Sequence, residues 1–123
     1  MESAKQRFLR YVRVWTTSDE SSRTSPSTER QKDLGRLLES ELAALGMRDV
    51  HMDTCGNVIA TLPAAPGCEG APKIALIAHV DTSPDAPGEG VSPRIVRYEG
   101  GELPLGSGVS LTPALCRGLE EHV

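Results

Sequence analysis

Lys73-Ile74-Ala75-Leu76-Ile77-Ala78 runs straight into His79-Val80-Asp81-Thr82-Ser83-Pro84-Asp85. The first half is apolar without alternation. A strand covered on both faces reads this way, as in the parallel sheet of an α/β domain. A buried helix is the alternative, but the run is short for one and polar residues follow at once. In open α/β sheets, sites collect beyond the carboxyl ends of strands. Residues two apart on an extended chain point to the same side. His79 therefore has the place of a metal ligand, and Asp81 that of the carboxylate that holds the imidazole or another ligand. The spacing equally suits a hydrogen-bonded histidine at a strand end with Asp81 capping a turn.

Working outward, residues 2–15 read as a helix, with Ala4, Phe8, Tyr11, Val12 and Trp15 at three- and four-residue steps. Residues 16–27, rich in Ser and Thr and containing Pro26, form a loop. A second helix is expected to start near Ser27 or Thr28, either of which can cap it. Leu34, Leu37, Leu38, Leu42 and Leu45 line one face, and Gly46 closes it in a left-handed conformation. Residues 50–53 and 57–62 are short strands, and Thr54-Cys55-Gly56-Asn57 supplies hairpin turn residues. Residues 63–72, with three prolines and two glycines, read as a surface loop between two strands or as a domain linker. Further on, residues 94–98 are a strand candidate and residues 100–112 a loop. Residues 113–121 read as a short helix with Thr112 capping and Pro113 in its first turn.

Composition limits the classes. The 123 residues fit one domain or part of a larger one. A net charge of -4 argues against binding a phosphate backbone, so no nucleic-acid partner is expected. Cys55, Cys68 and Cys116 match no zinc-finger or disulfide spacing and read as reduced thiols. No segment reads as a signal peptide or a membrane span. A soluble cytoplasmic protein that does not engage membranes is the expectation. Gly106-Ser107-Gly108-Val109-Ser110 lacks the third glycine of a dinucleotide fingerprint and reads as a loop.

The stretch Ile77 to Asp85 resembles the first metal motif of the peptidase T family, the tripeptide aminopeptidases among the co-catalytic zinc metallopeptidases. Other segments resemble that family in the same order: Arg7-Phe8-Leu9-Arg10-Tyr11-Val12, Pro26-Ser27-Thr28-Glu29, Gly56-Asn57-Val58-Ile59-Ala60-Thr61-Leu62-Pro63, and Tyr98-Glu99-Gly100-Gly101-Glu102 with Leu105-Gly106. The resemblance implies an α/β fold, with helices packed on a largely parallel sheet. It implies that residues 1–123 are the N-terminal part of a zinc-peptidase catalytic domain, without the lid domain. His79 would bind one of two zinc ions, and Asp81 would be catalytic, orienting the site. The reaction implied is release of the N-terminal residue from small peptides, namely tripeptides.

The sequence departs from the family's pattern after Pro113. The Gly-rich segment with paired Asp residues, the Glu general base and the remaining ligands do not appear before Val123. A catalytic zinc needs about three protein ligands. His51 and His122, the other imidazoles, have no counterpart among the family's ligands and read as surface residues. The expectation is therefore a truncated, inactive fragment with an incomplete zinc site. Two readings stand beside it: a non-catalytic binding or regulatory domain on the same scaffold, and one chain of a split enzyme. A truncated sheet exposes an apolar edge, which favours self-association.

Overall fold

The computed structural model describes residues 2–106 and 108–122. These divide into two compact units, residues 1–93 and 94–123. In the first unit, helix α1 spans Ala4–Tyr11 and helix α2 spans Gln31–Ala44. They are followed by strands β1 (Arg48–Met52) and β2 (Val58–Thr61). The second unit holds strands β3 (Leu103–Gly106) and β4 (Val109–Leu111) and a 3-10 helix, Arg117–His122.

Helix α1 starts on a reciprocal cap. The Gln6 N–H donates to Ser3 Oγ at 3.2 Å and the Ser3 N–H to Gln6 Oε1 at 2.8 Å. It ends at Tyr11, short of the expected residue 15. Trp15 leaves the apolar stripe altogether. The Arg30 guanidinium stacks 3.7 Å from its ring centroid, and its indole N–H donates to Thr17 Oγ1 at 3.0 Å.

Helix α1 is held to α2 by polar contacts at Glu41. The Tyr11 hydroxyl and Arg10 Nη2 both donate to the Glu41 carboxylate. Arg7 Nε lies 3.1 Å from Oε1 without hydrogen-bond alignment. The Tyr11 hydrogen bond, followed by Arg10, holds the Glu41 carboxyl below its ordinary range. Burial, then the same bond, pushes the Tyr11 phenol up. A depressed carboxyl stabilises the fold above its unfolded pKa, and that contribution is lost as pH falls through the folded value. Between about pH 5 and pH 3 the urea midpoint should therefore fall, and Glu41→Gln should flatten the fall. An unchanged slope in the variant would show that other carboxylates carry the acid sensitivity.

The start of α2 corrects an expectation. Neither Ser27 nor Thr28 caps it, for Arg30 occupies the cap position without a side-chain bond. Ser27 Oγ accepts from the Asp19 N–H and from Gln31 Nε2, and the Thr28 hydroxyl donates to the Thr17 carbonyl. The hydroxyls tie down the preceding loop, and tight backbone bonds such as Gln31 N–H to Thr28 O (3.2 Å) begin the helix. The other end follows the sequence: Gly46 takes φ 80°, and the Met47 N–H reaches Leu42 O at 3.2 Å.

Strands β1 and β2 form the expected antiparallel hairpin. At its turn both Asp53 carboxylate oxygens accept from Asn57, from the backbone N–H and from Nδ2, each at 2.9 Å. Gly56 supplies the φ of 84° that the turn needs. Helix α2 packs on this hairpin through Leu34 and Gly35, its buried residues. Glu39 Oε1 also accepts the Met52 N–H at 3.0 Å.

The largely parallel sheet is not formed among the described residues. Residues 73–78 have no regular secondary structure, and Ile74, Leu76 and Ile77 are 85%, 94% and 95% exposed. A parallel strand needs a neighbour joined through a long crossover and cover on both faces. Both sheets here are two-stranded antiparallel ribbons, and neither includes this segment. What stands is a mixed helix-and-strand architecture.

In the second unit, residues 94–98 are not a strand, and the expected loop at 100–112 contains the hairpin β3–β4. Pro104 and Gly106 mask its pattern in sequence. A two-stranded ribbon consists of edges alone, so a proline with its nitrogen turned outward is tolerated. Gly106 and Gly108, with φ of 111° and 75°, flank the reversal; Ser107 lies outside the described residues. The expected helix at 113–121 is replaced by a turn, in which Thr112 O accepts the Leu115 and Cys116 N–H groups, and then the 3-10 helix.

Candidate functional site

His79 and Asp81 lie on the irregular segment that follows the apolar run, and Thr82 ties that segment down. Thr82 pairs with Thr17 in an isolated parallel bridge. The Thr82 N–H donates to Thr16 O at 3.3 Å, and Thr82 O accepts from Ser18 N–H at 3.0 Å and Ser18 Oγ at 3.1 Å. Thr16, at 3% exposure, is the deepest polar residue among those described. The two threonine hydroxyls of the bridge are 3.3 Å apart.

Beyond that anchor, His79 Nδ1 lies 3.0 Å from Asp81 O and 3.1 Å from Asp81 Oδ1. Both oxygens are acceptors, so in the neutral imidazole Nδ1 carries the hydrogen and Nε2 keeps its lone pair. The His79 side chain is 86% exposed. This arrangement gives the pair that the spacing suggested: an oriented imidazole with a carboxylate as its partner. A few residues on, Ser83 and Asp85 close a small turn of their own. The Asp85 N–H donates to Ser83 Oγ at 3.2 Å.

The donor set does not make a zinc site by itself. Among the described residues no group of three or more His, Cys, Asp or Glu side chains is placed to hold a metal ion. One imidazole with one carboxylate falls short of the three protein ligands that a catalytic zinc requires. His51 sits on β1, exposed, with Nδ1 2.8 Å from Asp49 O. The cysteines are unpaired; Cys55 and Cys68 are exposed and Cys116 half-buried.

Nothing local in the sequence marks the role of Thr16-Thr17-Ser18. Their partner Thr82 is more than sixty residues away, and an isolated bridge leaves no periodicity. Gly88 belongs to the same cluster. A Cβ there would stand 2.2 Å from Thr17 Oγ1, 3.3 Å from Thr82 Oγ1 and 3.3 Å from Trp15 Cδ1.

No helix among the described residues is long and apolar enough to cross a membrane. Fold and site together define a mixed helix-and-strand chain with a His–Asp pair anchored to its N-terminal loop, and the known proteins it is similar to are peptidases. Its relatives are peptidase T proteins, which it resembles over most of its own length. It is 42% identical over 116 residues to peptidase T of Clostridium perfringens strain SM101, covering 93% of this chain and 28% of the relative. It is 46% identical over 107 residues to peptidase T of Shouchella clausii, covering 87% and 26%. With peptidase T of Geobacillus thermodenitrificans the identity is 48% over 101 residues, covering 81% and 24%. The chain thus spans about a quarter of the length of the curated relatives it matches. No family model matches it.

Proposed function

We propose that this chain supplies an N-terminal portion of the catalytic domain of a zinc-dependent tripeptide aminopeptidase, and that by itself it is inactive. The observation that carries the reading is identity of 42–48% to peptidase T over most of the chain. In this reading His79 is a zinc ligand through Nε2, and Asp81 fixes the ring and orients the site. Small peptides are the substrates, and the protein works in the cytoplasm. Among the described residues no third donor joins this pair, so in this reading the other ligands and the general base come from outside them. No catalytic step through zinc is derived from the pair alone.

A second reading has its own support. The exposed run at Ile74, Leu76 and Ile77 is a strand-forming sequence without a strand partner among the described residues. One chain of a split enzyme would leave its surface in this state, to be covered by the chain that brings the missing ligands. Without such a partner the same run favours self-association. A non-catalytic binding domain would need neither zinc nor a second chain.

The purified 123-residue protein is expected to show no tripeptide hydrolysis with zinc present. Coexpression with the remaining three-quarters of a peptidase T chain should restore turnover, and His79→Ala in this chain should abolish it. Turnover by the chain alone, lost in His79→Ala, would sink the inactive reading. No turnover in any combination would favour the binding domain.

A further inference from the structure

We propose that Thr17 and Gly88 are positioning residues for the His79–Asp81 pair, acting through the bridge to Thr82; the proposal rests on the reading of that pair as the functional one. Residues 73–81 have no regular structure, so no sheet holds His79 in place. Three backbone and side-chain bonds to Thr82, from the Thr16–Ser18 segment, fix the chain one residue beyond Asp81. Asp81 contributes both its backbone and its side-chain oxygen to His79 Nδ1. The backbone oxygen faces the ring correctly only if the Asp81–Thr82 peptide keeps its orientation, and the bridge sets that orientation.

Further contacts gather around Thr17. The Thr17 hydroxyl accepts the Trp15 indole N–H at 3.0 Å and lies 3.3 Å from the Thr82 hydroxyl. The Arg30 guanidinium stacks on the Trp15 ring. Gly88 brings the returning loop so close that a methyl group would overlap Thr17 Oγ1, at 2.2 Å. Contact that close is essentially never adopted, so any side chain at 88 must displace Thr17 or the loop. The absence of a side chain at Gly88 and the hydroxyl at Thr17 are thus two requirements of one anchor.

The test reads geometry, not catalysis. Nitrogen NMR of the imidazoles reports which ring nitrogen is protonated, with His79 assigned by its loss in His79→Ala. The wild-type protein should hold its hydrogen on Nδ1. Gly88→Ala and Thr17→Val should reduce that preference and speed exchange of the Ser18 and Thr82 amides about tenfold or more, leaving β1–β2 amides unchanged. Thr17→Ser, which keeps the hydroxyl, should retain both properties within about twofold. An unchanged His79 tautomer in variants whose Ser18 and Thr82 amides open would overturn the proposal. So would failure of Thr17→Ser to rescue, or loss of protection spreading to β1–β2, which would mark general loosening. No peptidase assay enters, so failure here leaves the tripeptidase reading intact, and failure of complementation leaves the anchor intact.

Discussion

Leu34→Ala is expected to lower stability by about 2–3 kcal/mol. Leu34, at 7% exposure, is the one buried large apolar side chain among the described residues. It sits on the first turn of α2, on the face that meets β1 and β2. Truncation removes the transfer energy of three carbons and leaves space that the surroundings fill in part. Leucine truncations span about 2–5 kcal/mol, and half-exposed neighbours, free to move inward, place this one at the low end. With a urea slope of about 1–3 kcal/mol/M, the midpoint should drop by about 1 M or more. A drop of less than about 0.3 M would mean that the α2–hairpin contact contributes little to folding.

Gly35→Val should be comparably damaging, by about 2–3 kcal/mol, for the opposite reason. Gly35 lies inside α2, where glycine costs roughly 1 kcal/mol relative to alanine. Its place is explained by the hairpin. A Cβ there would lie 2.6 Å from Met52 Sδ, 3.5 Å from Val58 Cγ2 and 3.7 Å from Gly56 O. Met52 is a flexible side chain and can withdraw from one methyl group. Gly35→Ala should therefore come out within about 1 kcal/mol of wild type, the gain in helix propensity offsetting the crowding. Valine adds two further methyl groups against Val58 and cannot be accommodated in this way. Adding Met52→Ala to Gly35→Val should recover part of the loss, since the two sites share one contact. Strictly additive losses in thermal or urea unfolding would refute the close-approach account.

Much of the first unit was legible because its signals are local. The leucine face of α2, the Gly46 closure and the Asp53-to-Asn57 turn each rest on residues within a few positions of one another. The cap of α2 is set by residues that lie farther off. Ser27 and Thr28 are both good capping types, but Asp19 and Thr17 compete for their hydroxyls. The β3–β4 hairpin was hidden because Pro104 and Gly106 break the strand pattern, and a narrow ribbon tolerates both.

Residues 73–85 divide the two sources of information most sharply. The sequence alone determined the likeness to peptidase T and the pairing of an imidazole with a carboxylate two residues on. Both depend on residue identity and short spacing. Apolar composition also suggested a covered parallel strand, but cover comes from other segments. Among the described residues no strand pairs with 73–78, and its side chains stay exposed. Tertiary structure alone decided what holds His79 and Asp81: a single bridge from Thr17 to Thr82, with Gly88 close against it. Such an anchor forms between segments far apart in the chain, and its hydrogen bonds need complementary backbone directions that no local pattern encodes.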